Sequence, residues 1–126
     1  MTLHLTNSNP PPLPGYYHWI RINAPQVRDT VDAIRAKLGC QVCSSIGHFQ
    51  TADILAHLLG RDVPTRKATG PLQDGDVAIV MQIRRRRSKP ITKGGPVQAG
   101  DFEYYLVAYG ETKESLDRLV EQLDLL

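Results

Sequence analysis

Apolar and polar positions alternate over Thr2 to Thr6, where Leu3 and Leu5 share one side, and again over Tyr16 to Asn23, where His18, Ile20 and Ile22 oppose Tyr17, Trp19 and Arg21. A period of two is that of a strand with one buried face, so both segments read as β-strands, with His4 and His18 as ordinary strand residues and His4 pointing outward. Between them Asn7-Ser8-Asn9 and the run Pro10-Pro11-Pro12-Leu13-Pro14-Gly15 form a stiff loop, since proline removes donors and fixes the backbone. After Ala24-Pro25 the period lengthens. Val27, Val31, Ile34 and Leu38 recur at helical spacing, proline is tolerated in the first turn, and Gly39 stops the run.

The stretch Ser44-Ser45-Ile46-Gly47-His48-Phe49-Gln50-Thr51-Ala52-Asp53-Ile54-Leu55 changes period halfway. Val42 to Ile46 is short and apolar, as a buried strand is, whereas Ile54, Leu55, Leu58 and Leu59 mark a helix face that Gly60 ends. A strand therefore runs into a helix at Gly47-His48. Arg61 to Pro64 is a connector, Thr65 to Thr69 a short polar strand or extended loop, and Gly70 to Gly75 a turn. Val77-Ala78-Ile79-Val80-Met81 is the most continuous apolar run and predicts an interior strand within Asp76 to Arg84. A loop rich in Gly, Lys and Pro continues to about Gly100, Phe102 to Tyr109 is the last strand, and a helix over about 111–126 carries Leu116, Leu119, Val120 and Leu123 as its stripe. The sum is one α/β (α+β) domain over residues 1–126, a mixed β-sheet flanked by helices.

Length and composition agree with that architecture: 126 residues, 41% of them hydrophobic, bury one core and are too few for two ordinary domains. No run of eighteen apolar residues or secretion signal occurs, which leads to the expectation of a soluble, cytoplasmic protein with no membrane partner. Fifteen Lys and Arg against thirteen Asp and Glu leave a net charge of +2, too little to coat a long nucleic acid. Arg61, Arg66, Lys67, Arg84 to Arg87, Lys89 and Lys93 nevertheless cluster in the middle of the chain, as a local anion site requires. Cys40 and Cys43 have C-x-x-C spacing, but strand geometry sends them to opposite faces, so they read as structural thiols.

The chemistry concentrates at the corner. Gly47 permits a tight turn, and His48 lies where several helix N–H groups lack acceptors, a place suited to a phosphate and occupied by a group that titrates near neutrality. Packing or capping is the competing role for His48. His57, four residues after Asp53, reads as half of a surface ion pair. Asn7 and Ser8 border the corner if the first strand neighbours the strand before His48, and Ser45, Gly47, Gln50, Thr51 and Arg66 complete the candidate binding set. Alternate arginines of an extended segment share a face, so Arg84 with Arg86, or Arg85 with Arg87, can converge on one anion. A solvated strand edge is their bland alternative. No Walker motif, acidic magnesium cluster, nucleophile elbow or fourth ligand for Cys40, Cys43 and His48 occurs, so neither a metal nor a cofactor is expected. A histidine, helix N–H groups, hydroxyls, an amide and arginines suit metal-free RNA phosphodiester cleavage by the substrate's own 2′-hydroxyl.

Leu5-Thr6-Asn7, Ser45-Ile46-Gly47-His48 with Thr51-Ala52 and Leu58-Leu59-Gly60, Val63-Pro64 with Arg66, Gly75-Asp76, the apolar strand ending in arginine, and Phe102-Glu103-Tyr104-Tyr105-Leu106-Val107 resemble, in order, the viral type III anti-CRISPR ring nucleases. The resemblance implies a two-fold homodimer that holds cyclic tetra-adenylate across its interface and cuts it without metal into linear di-adenylates with 2′,3′-cyclic phosphate ends. It implies His48 as general acid, Arg85 or Arg86 as phosphate stabiliser, and Arg66 and Asn7 as ring-binding residues. The basic run Arg86-Arg87-Ser88-Lys89-Pro90 stands where that family commonly has an acidic residue and a glycine, which keeps open a non-catalytic sponge or sensor for the same messenger. A small viral nucleic-acid-binding protein is the third reading, and it lacks aromatic residues interleaved with the arginines.

Overall fold

The computed structural model describes residues 2–7, 14–65, 71–83 and 98–123. Five strands form one sheet: β1 (Thr2–Thr6), β2 (Tyr16–Ile22), β3 (Gln41–Ser44), β4 (Val77–Ile83) and β5 (Phe102–Gly110), in the order β2-β5-β4-β1-β3. Three helices accompany it: α1 (Val27–Leu38), α2 (Phe49–Leu59) and α3 (Lys113–Leu123). The expected mixed α+β domain is therefore what the chain forms. β1 is parallel to both β3 and β4, whereas β5 is antiparallel to β4 and β2.

All three helices lie on one face of the sheet, and the periodic stripes read above are what bind them there. Val27, Val31 and Ile34 of α1, Ala52, Leu55 and Leu59 of α2, and Leu116, Leu119, Val120 and Leu123 of α3 share one core with Leu3, Leu5, Val77, Ile79, Met81, Tyr104 and Leu106. Burying side chains of this size stabilises the fold by roughly 1.5–3 kcal/mol each. β4 is the interior strand its sequence predicts: Val77 to Met81 are fully buried because β5 and β1 flank it and both of its faces are covered. Gly39 and Gly60 end α1 and α2 at φ 59° and 67°, in the left-handed conformation that a Cβ disfavours.

The opposite face carries Leu72, Ala78, Val80, Val107 and Tyr109, with Tyr17 and Tyr105 partly buried against them. One lateral row runs Trp19, Val107, Ala78, His4, Cys43. Here the expectation for His4 needs correction. Its side chain is only 13% exposed, and its Nε2 lies 3.0 Å from Oδ2 of Asp76. Asp76 also accepts the backbone N–H of Gln73 at Oδ2 and that of Thr2 at Oδ1, each at 2.9 Å, so one buried carboxylate ties the turn before β4 to β1. Cys40 joins the helix-side core and Cys43 stands beside His4 on the other face, both as free thiols.

β3 departs from the buried strand expected over Val42 to Ile46. It ends at Ser44 and occupies a sheet edge, while Ile46 is fully buried beyond its end. Two segments read from sequence, the proline-rich loop over 10–13 and the basic loop over 84–97, lie outside the described residues, as does all but Thr65 of the short strand over 65–69.

Candidate functional site

Parallel pairing decides where the chemistry gathers. Because β1, β3 and β4 run the same way, their C-terminal ends leave the sheet at one edge, which in open α/β sheets is where ligands bind. Asn7 leaves β1 there. Beside it the chain leaves β3 through Ser45, whose N–H donates to the Leu5 carbonyl at 2.7 Å and extends the ladder by one bond. Ile46 then enters the core, and its N–H lies 3.3 Å from the Ser44 hydroxyl oxygen that accepts it. β4 reaches the same edge and continues to Ile83, beyond the Val80 that pairs with Thr6.

Anchoring Ile46 leaves Gly47 and His48 outside. His48 has extended backbone (φ −111°, ψ 125°) and caps α2 through its carbonyl, which accepts the Ala52 N–H at 3.0 Å. Its imidazole makes no capping bond and is exposed. Packing and side-chain capping, the competing roles for this histidine, are thus not what it does. Gly47 makes its turn outside the left-handed region, which holds Gly15, Gly39, Gly60 and Gly75.

Of the candidate residues, Asn7, Ser45, Gly47, His48 and Gln50 lie together at this edge, with Gln50 exposed on the first turn of α2. Thr51 differs from these in exposure: it is 6% exposed on the packed side of α2, and its backbone N–H is among the first-turn donors. Ser8, Arg66, Arg85 and Arg86 lie outside the described residues. His57 has the role its spacing predicts, with Nε2 3.8 Å from Oδ2 of Asp53 in an exposed i, i+4 pair. Among the described residues no group of three His, Cys, Asp or Glu side chains is placed to hold a metal ion. No described helix is long and apolar enough to cross a membrane.

Two crevices adjoin the corner on either side of Asp62-Val63-Pro64. A narrow one of about 170 Å³ is lined by Leu5, Val42, Cys43, Ser44 and Arg61 as well, and a broad one of about 610 Å³ by Phe49, Ala52, Asp53, Ala56 and Thr65. Sequence reasoning passed over Phe49 and Asp62. Phe49, Ala52, Asp53 and Ala56 have i, i+3, i+4, i+7 spacing, so one side of α2 was legible as an aromatic followed by small residues and a carboxylate.

Comparison with known proteins bears on the same region. A comparison with curated proteins finds no match. Among solved structures, B116 of Sulfolobus turreted icosahedral virus superposes with a TM-score of 0.63 at 18% identity, over 85% of this chain and 98% of that one, a likeness of fold. The STIV B116-like family model matches residues 3–103, a span that holds every candidate residue, β1 from Leu3, the whole of β2, β3 and β4, and the first two residues of β5. The chain therefore belongs to the STIV B116-like family, which takes its name from a viral protein.

Proposed function

We propose that this protein is a metal-independent ring nuclease that opens cyclic tetra-adenylate and thereby counteracts type III CRISPR signalling. The observation that carries the reading is the exposed His48 imidazole, held outside the core by the buried Ile46 just past the end of β3, at the edge where three parallel strands end. The resemblance of the sequence to viral ring nucleases supplies the substrate, and the family of a viral protein is in keeping with that role.

In the proposed reaction a ribose 2′-hydroxyl attacks its neighbouring phosphorus. The P–O5′ bond breaks as the 2′,3′-cyclic phosphate closes, the 2′-hydroxyl proton passes to water, and His48 protonates the departing 5′-oxygen. First-turn N–H groups of α2 and an arginine, Arg85 or Arg86, hold charge on the phosphorane, while Asn7, Ser8, Ser45, Gly47, Gln50 and Arg66 position the ring. A four-nucleotide ring has its own two-fold axis. An isologous dimer therefore presents one His48 to each of two opposite phosphodiesters, and two cuts yield two linear di-adenylates.

The test is incubation of the protein with cyclic tetra-adenylate in EDTA, followed by chromatography of the products. Linear di-adenylates with cyclic phosphate ends are expected. A ring that survives high enzyme concentration removes the reading, and tight stoichiometric binding without turnover assigns the protein to sequestration instead.

A further inference from the structure

Phe49 is 77% exposed, the most exposed of the large apolar side chains among the described residues. The stabilisation that burying such a side chain brings goes unrealised here, in a helix whose other face is packed. Its place explains what it can meet. Phe49 follows His48 directly, opens α2, and forms one wall of the broad crevice, whose floor on the same helix side is the small residues Ala52 and Ala56. Across from them lie Val63 and Pro64.

Among the described residues the polar groups of this crevice are the carboxylates of Asp53 and Asp62 and the hydroxyl of Thr65. Carboxylates repel a phosphate and accept hydrogen bonds from an amine. An aromatic wall, an apolar floor and acceptors are what a flat heterocycle with an exocyclic amine requires. Asp53 faces His57 along α2 in an exposed pair, and Asp62, on the connector beside Val63 and Pro64, is the carboxylate from outside the helix that can accept that amine.

We propose that this crevice seats one adenine base of the ring, stacked on Phe49, with its exocyclic amine directed to Asp62. The inference rests on the ring-nuclease reading and deepens it: phosphates lie at the corner by His48, and the base beside the scissile bond is turned into the crevice. Phe49 is then a specificity residue. It takes no part in proton transfer, and its loss acts on affinity and KM while kcat and the products stay as they are.

The experiment titrates cyclic tetra-adenylate into Phe49→Ala, Phe49→Leu, Phe49→Tyr and Phe49→Trp, each in a His48→Ala background so that the ring survives. Stacking of one base predicts roughly 5- to 100-fold weaker binding for Ala and Leu and near-parental binding for Tyr and Trp. In a Trp19→Phe background the Phe49→Trp indole is expected to lose emission as the base stacks on it. Equal affinity across the four variants overturns the proposal, as does a change of oligomeric mass in Phe49→Ala, which assigns the ring to a protein contact. Asp62→Asn is expected to narrow the preference for the adenosine ring over its inosine counterpart, whose base has a carbonyl in place of the amine; an unchanged preference removes Asp62 from the site. Wild-type protein that binds and cleaves the ring while Phe49→Ala matches it in KM refutes this inference alone. Wild-type protein that does neither takes both readings down together.

Discussion

In the proposed reaction His48 is the residue on which the chemistry turns, by virtue of its placement at the strand-to-helix corner. Because the imidazole is exposed and uninvolved in capping, His48→Ala removes an acid without opening a cavity, so cleavage is expected to slow by ~10² to 10⁴ with ring affinity retained, measured by single-turnover kinetics beside binding. Asp76 carries a different kind of dependence. Its carboxylate, 5% exposed, serves His4 and two backbone N–H groups, and Asp76→Ala leaves these donors without their acceptor. A loss of roughly 2–4 kcal/mol in urea unfolding is expected. Tyr104 gives a pH dependence. Burial, with the nearby Asp101 charge second, pushes its phenol up to about 12, and its hydroxyl donates to the Ala99 carbonyl at 2.8 Å. Above the ordinary phenol value near 10 the unfolded chain releases this proton while the folded chain keeps it. Its contribution is complete below about pH 10 and is lost as pH rises toward 12, and Tyr104→Phe is expected to flatten that part of the alkaline stability profile.

At the scale of elements, β5 meets α3 closely at Gly110. A Cβ on Gly110 runs into the Leu116 backbone nitrogen and falls 2.8 Å from its Cα, atoms that cannot swing aside. Gly110→Ala is therefore expected to push α3 off the sheet and cost at least roughly 1–3 kcal/mol, read as a fall in melting temperature with the α3 amides losing exchange protection. The elements themselves were legible in the sequence, for periodicity is local: Val27 to Leu38, Val77 to Met81 and the four-residue stripe of α3 each announce their own burial. What joins them was not. The His4 to Asp76 pair spans seventy-two positions, and nothing near either residue signals the other. The corner shows both cases. Its histidine stood out beside a glycine at a change of period, whereas Thr51, read as a binding hydroxyl, lies on the packed side of α2. Phe49 passed unnoticed because a lone aromatic at a helix start reads as core until its exposure is known.

For the molecule as a whole, the order β2-β5-β4-β1-β3 puts the first strand second from one edge, with Leu3 between Val42 of β3 and Val77 of β4. Sedimentation in solution is expected to give about twice the 14.0 kDa chain mass, as a two-fold ring requires, and a concentration-dependent melting temperature accompanies such a dimer. The position of β1 has a further effect during synthesis. A ribosome delivers this strand before either neighbour exists, so its apolar side must wait until β4 has cleared the exit tunnel, and pairing of this non-local kind is slow. Chains halted before residue 77 will consequently be prey for chaperones and proteases, whereas a synthetic peptide of residues 2–7, offered to a chain shortened by that strand, has an empty slot between β3 and β4 to fill.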